Sequence, residues 1–236
     1  MGKIISPSEL FIKLTEYVMP HGKESMMEPY LPDGYTKDEV GNYVKVIGNS
    51  RTMFTCHLDC AVGTVKKVNH VFFVDEHGRN KVKTDRKTIL GSDDKAGMVV
   101  MLKMIENNIP GHYYFFIGEE RGCVGSGGII KKNRKYFKEN FDRCIAFDRR
   151  GYGSIISKQR GDFCCSQDFV TALAAEFAKS GLEYKDDPTG IYTDSAQFMY
   201  TIPECTNLSC GGFKEHTYDE FQNLDYLEKV CKLLSI

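Results

Sequence analysis

Two periodicities alternate along the chain. Leu10, Phe11, Leu14, Tyr17 and Val18 recur at helical spacing behind Ser6-Pro7-Ser8-Glu9. There Ser6 serves as cap, Pro7 occupies the first turn and Glu9 closes a capping box, so a helix over 7–18 is expected. Short β-rich runs at 43–47 and 53–56 flank the turn Gly48-Asn49-Ser50 and predict a hairpin leading into the main sheet. The segment 68–84 carries Val71-Phe72-Phe73-Val74, a turn-like Glu76-His77-Gly78-Arg79-Asn80, then Val82, which reads as a small inserted hairpin. After Asp93 the period becomes helical through Met98, Val99, Met101, Leu102 and Ile105.

The alternation then repeats. A buried strand at 113–117 precedes a helix near 126–138, a strand at 144–147, an edge strand at 154–158 and a helix over 167–179 with Val170, Leu173, Ala174 and Phe177 inward. A strand near 206–209 and a helix over 218–234, carrying Phe221, Leu224, Leu227 and Leu234, complete the set. Strands and helices in this order predict a three-layer α/β/α fold with a mostly parallel central sheet. One domain is expected over 1–236, with a hairpin insertion near 64–88.

Composition narrows the functional classes. A chain of 236 residues with 42% hydrophobic positions can bury one substantial core. Its 31 basic and 32 acidic side chains leave a net charge of -1, without the excess of Lys and Arg that neutralises nucleic-acid phosphates. The run Lys131, Lys132, Arg134 and Lys135 reads as a solvated helix face. No apolar stretch has the length that crosses a bilayer, and the N-terminus lacks a signal-peptide core, so a soluble cytoplasmic protein is expected. Gly2 and Ser6 fit the loose N-myristoylation pattern, which chain starts often match by chance. Nine cysteines, an odd number without paired CxxC units, read as reduced and mostly buried thiols.

In α/β folds ligands gather at the carboxyl ends of strands, and the polar clusters fall there. His57 and Asp59 follow the strand at 53–56; on extended backbone both point to one side, so Asp59 can hold one imidazole nitrogen and free the other for a metal. A surface histidine is the simpler alternative. Asp93 and Asp94, in Gly91-Ser92-Asp93-Asp94-Lys95-Ala96-Gly97, stand at a helix start, where acids also serve as caps. Glu119 and Glu120 follow an apolar run directly, so that one can bind metal while the other takes a proton from water. Asp148 stands after the strand at 144–147, with a salt bridge to Arg149 or Arg150 as its bland reading; His216 and Glu220 have helical i to i+4 spacing. Together these histidines and carboxylates form the N and O ligand set that zinc prefers.

In this order the motifs resemble the co-catalytic zinc exopeptidases, a family that includes leucyl-type and glutamyl aminopeptidases and tripeptidase T. The matching residues are His57 and Asp59, the GSDDKAG of 91–97, the GEERGCVGS of 118–126, Asp148, the TDSA of 193–196 and the HTxxE of 216–220. The resemblance implies two Zn2+ ions, with Co2+ or Mn2+ as substitutes. His57 and Asp148 would ligate one ion, Glu120 and His216 the other, and Asp93 would bridge them. Glu119 would be the general base and acid, Asp59 would orient His57, and a cis peptide would precede Asp94. The gaps between motifs leave no room for the lid or dimerisation domain of many relatives, so a bare catalytic core is implied.

An aminopeptidase on short peptides is the expected activity, with Asp194 as a holder of the substrate ammonium. Arg149 and Arg150 could instead clamp a carboxylate, which would favour a carboxypeptidase or an amide deacylase. A non-catalytic binding protein is the rival from another class, and the ligand set with Glu119 present speaks against it. A cysteine hydrolase lacks a local nucleophile signature. Cys56 and Cys60 beside His57 are candidates for oxidation or for an extra metal.

Overall fold

Every side chain of the strand Thr52–His57 is buried, and such a strand needs partners at both edges and cover on both faces. The computed structural model, which describes residues 5–234, supplies them; Gly2 lies outside the described residues. The main sheet has eight strands in the order Lys185–Asp187, Ser154–Ile156, Glu204–Ser209, Arg143–Arg149, Thr52–His57, Gly111–Phe116, Tyr43–Ile47 and Thr36–Lys37. Its four central strands are mutually parallel, from Glu204–Ser209 to Gly111–Phe116. A mixed α/β fold with a mostly parallel sheet is the architecture expected from the sequence.

Five helices accompany the sheet among the described residues: α1 (Pro7–Leu14), α2 (Ser92–Glu106), α3 (Val124–Asn140), α4 (Gln167–Lys179) and α5 (Leu224–Leu234). α2 lies on Thr52–His57 and Arg143–Arg149 and packs against α1 and α5. On the other face, Tyr114 packs at a tilt against Phe137 of α3, and Phe116 stacks on Phe198. Strand alternation sends Tyr113 the opposite way, onto Phe54. Each such fully buried ring contributes roughly 1.5–3 kcal/mol of transfer free energy. Lys131, Lys132, Arg134 and Lys135 are solvent-exposed on α3, as a solvated helix face should be. Among the described residues no helix is long and apolar enough to cross a membrane.

Several boundaries differ from expectation. The first helix stops at Leu14, because Thr15 turns its hydroxyl back onto the Phe11 carbonyl and Tyr17–Val18 leaves as a strand paired with Lys66–Lys67. Tyr43–Ile47 and Thr52–His57 do not form a hairpin: Gly111–Phe116 lies between them, antiparallel to the first and parallel to the second. Full burial of Thr52–His57 demands parallel partners on both sides, which outweighs the local turn signal. Ser154–Ile156 is not an edge strand either, since Lys185–Asp187 pairs outside it.

The segment 68–84 does form a hairpin, with His70–Val74 antiparallel to Asn80–Thr84. It belongs to a second, four-stranded sheet completed by Phe221–Asn223 and Gly212–Phe213. Phe221, Gln222 and Asn223 therefore leave the helix in which the 3.6-residue period would place them, and α5 begins at Leu224.

Candidate metal centre

The polar groups converge where the parallel strands end. His57 closes the strand Thr52–His57 and is 1% exposed. Its Nδ1 faces the backbone carbonyl of Asp59 at 3.0 Å, and its Nε2 stands 2.8 Å from Asp93 Oδ1 and 3.7 Å from Asp148 Oδ1. The other oxygen of Asp93 lies 3.0 Å from His216 Nε2, which in turn lies 2.9 Å from Glu120 Oε1. One carboxylate thus spans two histidines, and each histidine has one further carboxylate beside it.

Local structure explains this convergence. The Asp93–Asp94 peptide is cis, and both residues have non-helical dihedrals at the start of α2. Asp94 faces inward, accepting from the backbone N–H of Gly97 at 3.0 Å and of His57 at 3.2 Å, so the capping role foreseen for an acid here falls to Asp94. Glu119 and Glu120 occupy a 3-10 turn, Glu119–Arg121, between left-handed Gly118 and Gly122. Glycine accepts that backbone without the steric cost other residues meet. Asp148 is the penultimate residue of the strand Arg143–Arg149; its backbone N–H donates to Asn207 Oδ1, and Thr193 Oγ1 donates to its Oδ2.

Asp59 does more than face His57, from whose Nδ1 its Oδ1 stands 3.7 Å. Its carbonyl, not its carboxylate, receives the closest contact from His57, while the carboxylate oxygens accept the backbone N–H groups of Glu119 at 3.0 Å and Glu120 at 3.2 Å. The residue therefore ties the His57 strand to the Glu119 turn. The i to i+4 spacing of His216 and Glu220 suits a helix, yet no helix is present there. Its 1%-exposed carboxylate accepts from the N–H groups of Leu90, Gly91 and Asp93 and fixes the loop that presents Asp93. The HTxxE spacing was visible in the sequence, but its target, 130 positions earlier for Leu90, was not.

Other expectations are redirected. Asp194 is not open to a ligand: it is 2% exposed and accepts a short hydrogen bond from Ser126. Arg149 pairs with Asp187 at 2.9 Å and Arg150 with Glu215 at 2.9 Å. Cys56 and Cys60 are buried, and burial holds both thiols above their ordinary range, a setting for inert sulfur. Cys60 instead stands 3.6 Å from the fully buried Lys95 ammonium, which donates to the Leu58 carbonyl.

The electrostatics call for a cation. Burial, reinforced by Asp148, Asp194 and Asp93, pushes Glu119 up to about 9. Burial and the Asp93 charge raise Asp148 to about 6. Asp93 and Glu120 raise His216 to about 11. Burial opposes protonation of His57, but Asp148, Asp59 and Asp93 outweigh it and hold the imidazole well above its usual value. Without a cation, the two imidazoles and Glu119 favour their protonated forms, while Asp93 between the imidazoles is held below the usual carboxylate range. A polar atom test agrees: Glu120 Oε1 is buried and accepts no hydrogen bond, although His216 Nε2 stands 2.9 Å away. A lone pair so placed fits coordination better than a protein hydrogen bond. His57, Asp93 and Asp148, and likewise Asp93, Glu120 and His216, supply the N and O donors that divalent metals take.

Both sets open onto a cavity of about 240 Å³ whose walls include Asp93, Glu119, Asp148, Arg149, Tyr192 and His216. No protein-family model matches the chain. The uncharacterized protein YqjE of Bacillus subtilis is 42% identical over 83 residues, a stretch covering 32% of this chain and 21% of that protein, so the match spans about a fifth of the relative's length. Solved structures match almost throughout. The aminopeptidase PepT of Bacillus cereus superposes with a TM-score of 0.76 at 17% identity, covering 98% of this chain and 97% of that one. A tripeptidase of Staphylococcus aureus gives 0.71 at 17%, covering 98% and 96%. The TET1 peptidase of Pyrococcus horikoshii, which can assemble into a tetrahedron or a large octahedral shell, gives 0.68 at 18%, covering 98% of each. The chain has the fold of these aminopeptidase and tripeptidase structures.

Proposed function

We propose that this protein is a metal-dependent exopeptidase of the co-catalytic zinc type, a single catalytic domain that removes N-terminal residues from short peptides. The observation that carries the reading is the placement of the Asp93 oxygens on His57 and His216, with Asp148 beside the first and Glu120 beside the second. His57, Asp93 and Asp148 would hold one Zn2+, and Glu120 and His216, with Asp93, would hold the other. Bound dications supply Lewis acidity toward the peptide carbonyl and ease deprotonation of water.

The chain's own residues do the rest. Glu119 lines the cavity; burial raises its proton affinity, and the charge of bound dications would return it to the carboxylate that a base must be. It takes a proton from the attacking water as the new C–O bond forms and delivers it to the leaving amine as the C–N bond breaks. Asp59 sets the position of Glu119 by holding its backbone N–H. Asp93 receives its own position from Glu220. Nine reduced, buried cysteines accord with a cytoplasmic setting.

The test is mass spectrometry of a peptide library incubated with zinc-loaded protein, beside a Glu119→Gln control, each peptide in free, N-acetylated and C-amidated form. Loss of N-terminal residues from free-amine peptides alone, absent in the control, supports the aminopeptidase. Cleavage confined to C-terminal residues or acyl groups replaces it with a carboxypeptidase or a deacylase.

A further inference from the structure

Among the ionisable groups that line the cavity the acids Asp93, Glu119 and Asp148 serve the centre, whereas Arg149 has no part in it. Two features bring Arg149 there. The ladder between Arg143–Arg149 and Glu204–Ser209 slips at Asn207 and Ser209, and such an irregularity re-aims the side chains around it. Its guanidinium is then fastened at one corner only: Nη2 donates to Asp187 Oδ2 at 2.9 Å and to Thr189 Oγ1 at 2.7 Å. Nε is shielded from solvent without an acceptor. Nη1 takes no acceptor among the described residues and is not among the buried unsatisfied atoms, which leaves it accessible. Arg150 differs, being 59% exposed and engaged with Glu215.

A guanidinium fixed through Nη2, with Nη1 unspent on a residue that lines the reaction cavity, can donate to a carboxylate there. Building on the hydrolytic reading, we propose that Arg149 is the specificity-determining residue of this cavity and selects peptides that place a carboxylate next to the scissile bond. A free α-carboxylate meets that description in a dipeptide, where it lies one residue past the scissile carbonyl; an Asp or Glu side chain offers the same chemistry. Asp187 and Thr189 preorganise the guanidinium, so little rotamer freedom is lost on binding.

The test compares Leu-Gly, Leu-Gly-amide, Leu-Glu-amide and Glu-Gly-amide in two assays: steady-state turnover by the zinc-loaded enzyme, and calorimetric binding to its zinc-loaded Glu119→Gln variant. Peptides with a carboxylate should bind about ten- to a hundredfold more tightly than Leu-Gly-amide, the range of a hydrogen bond to a charged group. The difference should sit in KM rather than kcat. The two acidic amides decide whether a side-chain carboxylate substitutes for the terminal one. Arg149→Gln should bring the four peptides to similar affinity, and Arg149→Lys should restore part of the spread. Equal binding of free acid and amides by the parent protein overturns the proposal, as does a uniform loss for all four peptides in both variants. If no peptide is turned over, the hydrolytic reading fails, while the calorimetry still decides the role of Arg149.

Discussion

The two halves of the candidate metal centre are built in opposite ways. His57 ends a fully buried central strand and is itself 1% exposed. His216 has a side chain 48% exposed and a left-handed backbone, φ 62°, on the loop between Gly212–Phe213 and Phe221–Asn223. One histidine is positioned by the core of the sheet, whereas the other depends on a surface loop, and the two oxygens of Asp93 face one each. The first half is thereby tied to the stability of the fold, and the second can be disturbed without unfolding the protein.

Glu119→Gln sharpens the comparison most, because it touches neither half. Turnover should fall by about 10²–10⁴-fold, while metal analysis still finds the zinc content of the parent. His57→Ala should break the buried half: an uncompensated cluster of carboxylates costs roughly 3–5 kcal/mol, visible as a lowered denaturation midpoint together with metal loss. His216→Ala should remove one equivalent of zinc and leave the denaturation midpoint of the chelated protein nearly unchanged. Equal destabilisation by both histidine variants would end the distinction drawn between the halves.

A smaller effect is expected from Glu220→Gln, which weakens the hold on the Asp93 loop. Zinc affinity should drop about 10–100-fold, read by competition with a chromophoric chelator, and a loss shared equally with the His57 set would fit Asp93 as the bridge. The smallest effect concerns protons. Asp148 is raised to about 6, Glu119 to about 9 and His216 to about 11. A raised value means that the folded chain binds the proton more tightly than the unfolded one. The resulting stability is complete below the unfolded values and disappears as pH rises through the folded ones. Chelated protein should therefore lose thermal stability progressively as pH rises from about 4 to about 11, and zinc uptake should release protons, measurable by calorimetry in buffers of different ionisation enthalpy.

Most of the ligand geometry was legible because the strands that carry it are short, apolar and followed at once by acids or histidine. His57, Glu120 and Asp148 all follow from that pattern. The roles of Asp59 and Glu220 were not legible, since each carboxylate serves backbone N–H groups far away in sequence, and a backbone N–H leaves no residue signature. Asp194 misled for a related reason: nothing in TDSA announces that Ser126 closes over it. Of the fold, the parallel centre could be read from period and order, but not the insertion of Gly111–Phe116 between two neighbours in sequence. Local turn chemistry competes there with burial, and burial decides. The second sheet escaped because Phe221–Asn223 continues the helical period of α5 while pairing with a strand at Asn80–Thr84.

That pairing has a consequence for how the molecule is made. Lys83 meets Phe221 across the second sheet, with most of the main sheet between them in sequence. Contacts of such separation form late, because the entropy of closing the intervening chain has to be met before they return anything. On a ribosome, the His57 half can take shape as soon as Arg143–Arg149 has emerged. His216 reaches Asp93 only when the closing strand has left the exit tunnel and found its hairpin. A centre that needs both halves stays incomplete until the chain has been made past Asn223.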